Sequence, residues 1–146
     1  MAKGYPDYFG QSIWPKYGTL LWDHAAFNIP VPATTILYEK IFSGVLAYLE
    51  LKIVDHSNLS DPYFSVYVDG SKIHSITLLQ MVAEGAHPGS HAPLVCRYAE
   101  RAIVNYFYTI ELGHDIPFRT SIKIDALTAL PDDFFIATSF GCYSIV

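Results

Sequence analysis

The chain of 146 residues carries a net charge of −5, is 51% hydrophobic and 15% aromatic, and has only 16% charged side chains, against a usual charged share of roughly 25%. Its nine Lys and Arg residues are scattered and form no basic stripe able to neutralise a phosphate backbone, which argues against a nucleic-acid partner. The apolar stretch 41–51 is broken by Ser43, Gly44 and Glu50 well short of the roughly 18–20 residues that a helical membrane span needs. About one domain fits this length. It cannot hide so many apolar side chains inside itself, which predicts that part of its surface is buried against other chains.

The opening MAKGYPDYFGQ lacks the apolar centre of a signal peptide. Cys96 and Cys142 stand in unlike contexts, so they read as buried free thiols of a protein made in a reducing cytoplasm. Residues 1–33 differ from the rest: Pro6, Pro15, Pro30 and Pro32 are interleaved with Tyr5, Tyr8, Phe9, Trp14, Tyr17, Trp22 and Phe27. Prolines at this density exclude a long helix, and the aromatic load argues against disorder. Two arrangements satisfy the segment: an extended arm that docks on another subunit, or a covering loop on its own domain with one short strand at 19–22.

Residues 34–146 then read as a β-domain. The stretch 34–42, TTILYEKIF, is β-branched and aromatic. In 44–55, Val45, Ala47, Leu49, Leu51 and Ile53 alternate with Leu46, Tyr48, Glu50, Lys52 and Val54, the period of a strand and not of a helix. The linker 56–61 has turn composition. Residues 61–77, DPYFSVYVDGSKIHSIT, carry the sharpest local signal, Asp69-Gly70 between two strand-like runs, because a type I′ hairpin turn needs positive φ at both central residues. In this reading Asp69 serves its own turn. The stretch 78–85 fits a short helix or a bulged strand, 86–93 is a loop, and 94–102 leads into a strand at 103–112. GHDIP, 113–117, is a turn, 118–130 is a strand in which Leu127 falls out of step with Ile122 and Ile124, and 134–146 ends the chain on an apolar strand.

Catalytic constellations are hard to assemble. Asp23 with His24, Asp55 with His56, and His114 with Asp115 are neighbours in sequence, but adjacent side chains on a strand point to opposite faces. No G-x-S-x-G elbow or phosphate-binding loop occurs, and Cys142 has only Gly, Tyr and Phe near it. Asp55, Asn58 and Asp61 lack the calcium-loop pattern. His87 and His91 flank Pro88-Gly89, which denies them the helix that their spacing would need as a zinc pair. The expectation is a protein that is not an enzyme and holds neither metal nor cofactor.

Seven or eight antiparallel strands separated by turns, with almost no helix, predict an all-β sandwich of jelly-roll type. The succession Val68-Asp69-Gly70, Ile73, Pro117-Phe118 and Ser121-Ile122-Lys123-Ile124 resembles the small jelly-roll domains of tailed-bacteriophage virion proteins over residues 44–126. The resemblance implies a head or tail component, by function a decoration, minor-capsid or joining protein. It would be located in the virion after assembly in the host cytoplasm, with copies of itself and other virion proteins as partners. Tyr5, Tyr8, Phe9, Trp14, Tyr17 and Trp22 are then the expected partner-binding residues. A second class stays open: a carbohydrate- or receptor-binding module that uses Tyr63, Tyr67, Tyr106 and Tyr108 as a platform. A third is a cupin-like metal enzyme drawing on His56, His74, His87, His91 and His114.

Overall fold

The Asp-Gly hairpin forms as its chemistry requires. β4 (Tyr63–Val68) and β5 (Ser71–Thr77) pair antiparallel around Asp69 at φ 52° and Gly70 at φ 83°, the left-handed conformation that glycine and aspartate tolerate best. A computed structural model describes residues 17–29, 34–55, 62–84, 92–101, 106–128 and 134–145. Within them the other strands are β1 (Tyr17–Ile29), β2 (Thr34–Lys40), β3 (Gly44–Asp55), β6 (Leu94–Arg101), β7 (Tyr106–Leu112), β8 (Ile116–Phe118), β9 (Ile122–Leu127) and β10 (Phe134–Ile145), with one helix, α1 (Leu78–Glu84).

The strands form two antiparallel sheets packed as a sandwich. The larger has the order β1-β10-β3-β7-β6, with β8 continuing alongside the start of β3, and the smaller has the order β2-β9-β4-β5. Successive strands cross between sheets from β1 to β4, from β5 to β6, and again at β9 and β10. The last two strands therefore insert between earlier ones, the connectivity of a jelly roll. Alternation from Tyr48 onward buries Leu49, Leu51 and Ile53 while Tyr48 and Lys52 stay exposed, but a bulge opposite Gly141 and Cys142 shifts the phase before it, so that Leu46, expected on the face opposite Leu49, is fully buried and Val45 and Ala47 are not. These meet Phe64, Val66, Ile122, Ile124 and Ala126 from the smaller sheet, all fully buried. A bulge between Ile36 and Tyr38 places both Leu37 and Tyr38 in the core, where the Tyr38 ring stacks on Phe140 at 4.1 Å. The Tyr38 hydroxyl is buried beside the Cys142 sulfur without completing a hydrogen bond. Burial first, and then that sulfur, push the phenol far above its ordinary range. Both cysteines are buried and unpaired.

Several sequence expectations change in detail. The short strand at 19–22 is part of the 13-residue β1, which pairs along its length with β10. Over 17–29, then, the segment docks on its own domain, while residues 1–16 and 30–33 lie outside the described residues. GHDIP is not turn throughout, since Ile116–Phe118 pairs with Gly44–Leu46. Residues 78–84 are helix, and the choice was written in Thr77-Leu78-Leu79-Gln80. The Gln80 amide donates to Thr77 Oγ1 and the Thr77 amide to Gln80 Oε1, both at 3.1 Å, a reciprocal capping box.

Asp69 also departs from expectation. Its Oδ1 accepts hydrogen bonds from the backbone amides of Arg119, Thr120 and Ser121 at 2.9, 2.7 and 3.2 Å and from the Thr120 hydroxyl at 3.1 Å. Its own amide donates to the Ser121 carbonyl. The hairpin tip is thus clamped to the connection between β8 and β9. These donors, Thr120 foremost, hold the carboxyl below the usual carboxylate range.

Candidate functional site

The expected partner-binding residues divide. Tyr5, Tyr8, Phe9 and Trp14 lie outside the described residues, Tyr17 opens β1, and Trp22 stands on the outer face of the larger sheet, 52% exposed. Residues of β1, β10 and β3 that share this face form transverse rows: Trp22, Gly141 and Tyr48 in one, His24, Ser139 and Glu50 in the next. The Trp22 ring reaches across Gly141. A Cβ at Gly141 would sit 3.0 Å from it and 3.1 Å from Tyr48 Cβ, so any larger residue there would push the indole outward by a few tenths of an ångström. Trp22 meets Tyr48 edge-on at 5.2 Å, and its plane lies parallel to His24 at 6.4 Å.

The surrounding polar groups are already satisfied. His24 Nδ1 bonds Ser139 Oγ at 3.0 Å, and the Tyr48 hydroxyl donates to Glu50, which also meets Lys52. Farther along, Arg97 reaches Glu111 and the Tyr98 hydroxyl donates to Glu100. Desolvation and then Glu50 raise the Tyr48 phenol, while the bond to Glu100 raises Tyr98. Both therefore remain O–H donors throughout the neutral range. The face offers a half-exposed Trp-Tyr-His cluster on a rigid sheet beside neutralised charges, the composition found at the centres of protein interfaces.

The other candidate sites do not assemble as the sequence suggested. Tyr63 and Tyr67 lie on the outer face of the smaller sheet, whereas Tyr106 and Tyr108 belong to β7 of the larger sheet, where Tyr108 is in the core. One four-tyrosine platform is therefore ruled out: the four come from two sheets, and two of them pack inward. Asp23 turns from His24 to an ion pair with Lys40 at 3.2 Å. His114 Nδ1 donates to the neighbouring Asp115 carbonyl. His56, His87 and His91 lie outside the described residues, within which no group of three or more potential metal ligands occurs. A cleft of about 420 Å3 beside the hairpin tip is lined by Asp69, Pro117, Phe118 and Arg119, but the carboxylate there is committed to the 119–121 backbone. No model of a known protein family matches the chain, and no curated protein sequence does either.

Proposed function

We propose that this chain is a structural component of a tailed-bacteriophage virion, decorating or joining parts of the head or tail through symmetric contacts between its copies and with other virion proteins. The supporting observation is Trp22: a half-exposed indole, seated over Gly141 against Tyr48, on the edge strand that follows the aromatic segment 1–16. Burying such a cluster against a neighbour would stabilise assembly, and repetition around an axis would multiply a modest contact. Jelly rolls are among the folds from which capsids are built.

The described part of β1 sets where the segment can be cut. Removal of residues 1–16 leaves every β1–β10 pair in place, whereas a cut after residue 25 would strip most of them. The test is the solution mass of the full chain across a concentration series, beside Trp22→Ala and a chain lacking residues 1–16. Oligomers that dissociate in either variant, with circular dichroism unchanged, support the role. A full chain that stays monomeric at high concentration, and is missing from purified particles of its phage by mass spectrometry, would refute it.

A further inference from the structure

On the outer face of the smaller sheet, a carboxylate is sunk where alternation should expose it. Ile122, Ile124 and Ala126 of β9 point into the core, so Lys123, Asp125 and Leu127 point out, yet Asp125 is only 6% exposed. It lies in a transverse row with Ile36, Ser65 and Ser75. Ser65 is also buried, and its hydroxyl bonds that of Ser75 at 3.2 Å. Asp125 accepts no hydrogen bond among the described residues; it only feels the charges of Lys123 and Lys72. A carboxylate so little exposed, to which no described residue donates, is costly to desolvate, and among the described residues it organises no turn or connection, in contrast to Asp69.

The surroundings define what would satisfy it. One row along the strands stand Tyr63, Leu127 and Thr77, with Tyr63 and Leu127 exposed. One row the other way stand Tyr67, Lys123 and Lys72, both ammonium groups lying over the Tyr67 ring at 4.3 and 5.5 Å. Tyr63 and Tyr67 are four residues apart on one strand, roughly 13 Å at the backbone, so the small residues between them form the floor of a trough.

Charge decides the class of ligand. The face carries Asp125 and Glu39 against Lys72 and Lys123, with Glu39 opposite Lys123. A cation would meet two ammonium groups, and an anion would meet a carboxylate that is already desolvated. A neutral polyol meets neither difficulty: its hydroxyls donate to Asp125, exchange bonds with Ser65 and Ser75, and accept from the lysines, while its C–H faces rest on Tyr63, Leu127 and Ile36. We propose that this trough binds a neutral saccharide, with Asp125 as the acceptor at its floor and Tyr63 as its stacking wall. Such binding does not depend on assembly.

The test titrates the full chain with methyl glycosides of glucose, galactose, mannose and N-acetylglucosamine, followed by amide shifts, with acetate and guanidinium as anionic and cationic controls. Expected are saturable shifts at Ser65, Ser75, Asp125 and Leu127 with at least one glycoside and with neither control. Asp125→Asn should weaken that binding about tenfold or more, the loss of one charge-assisted bond. Should Asp125→Asn fail to fold, Tyr63→Ala and Ser75→Ala, both at exposed positions, must weaken binding instead. No shifts on this face with any glycoside, stronger shifts with a control ion, or unchanged affinity in the folded variants would overturn the assignment.

Discussion

Asp69 and Asp125 sit on the same small sheet and have opposite fates. At the hairpin tip Asp69 is exposed, yet three backbone amides and a hydroxyl converge on one of its oxygens. In the middle of the outer face Asp125 is buried and has no donor among the described residues. Donors hold the first carboxyl below its ordinary range; desolvation, partly offset by Lys123 and Lys72, holds the second above it. The contrast separates two uses of one side chain: a satisfied carboxylate organises its own fold, whereas an unsatisfied one is left for something outside the fold to complete.

Ways to break or sharpen this contrast can be ranked by size. Phe64, fully buried on the inner face of β4 next to the Asp125 row, sets the scale: Phe64→Ala should lower unfolding stability by about 3–5 kcal/mol in a urea titration. Gly70→Val forces a β-branched residue to φ 83° where there is open space but the wrong backbone, and should lose about 1–2 kcal/mol. Replacing the carboxylates themselves should then give opposite signs. Asp125→Val should raise the unfolding free energy by about 1 kcal/mol, seen as a higher urea midpoint, whereas Asp69→Ala should lower it by releasing the 119–121 connection. A stabilised Asp69→Ala or a destabilised Asp125→Val would dissolve the contrast.

The pH dependence of stability divides at the ordinary aspartate value of about 3.9. The folded pKa of Asp125 lies above that value, so its unfavourable contribution is fully present above the folded pKa. As pH falls through that pKa toward 3.9, protonation should relieve it and stability should rise. The folded pKa of Asp69 lies below, so its favourable contribution is present above 3.9 and is lost as pH falls through the folded value. Melting curves from neutral to acid pH should therefore lose the upper feature in Asp125→Val and the lower one in Asp69→Asn. The smallest change is Tyr63→Ala, within about 0.5 kcal/mol of wild type because the ring is exposed; a larger loss would make Tyr63 part of the fold and not of a site.

Much of the fold was legible because the relevant signals are local. Asp69-Gly70 announced its hairpin, and the alternation from Tyr48 to Ile53 announced β3, whereas the bulge that turns Leu46 inward left no local sign. β1 was harder to read: as an edge strand it leaves both faces partly exposed, so Leu20, Leu21 and Trp22 show no clean period. Pro117 hid β8, although a short strand beside β3 accommodates it. In β9 the core period is Ile122, Ile124 and Ala126, and Leu127, out of step with the isoleucines in the sequence, is exposed. The alternation of Ile122 and Ile124 puts Asp125 on the outer face, but nothing in the sequence signals that it is buried there. Trp22 was identified from its residue type, but its seat depends on Gly141, 119 positions later in the numbering, and the clamp on Asp69 depends on a connection some fifty residues away. Contacts of that range leave no periodic trace in a single sequence.

The pairing of the first described strand with the last has a kinetic consequence. β10 lies between β1 and β3, and β9 lies between β2 and β4, so neither sheet can close until the final quarter of the chain has been synthesised. During translation β1, with its indole and its open hydrogen-bonding edges, must wait for a partner more than a hundred residues away. A topology so rich in distant pairings folds in milliseconds to seconds, and its waiting strands are open to mispairing with other copies. Refolding yield should therefore fall as protein concentration rises, and a chain shortened before residue 134 should accumulate as aggregate, since β1 would then have no strand to receive it.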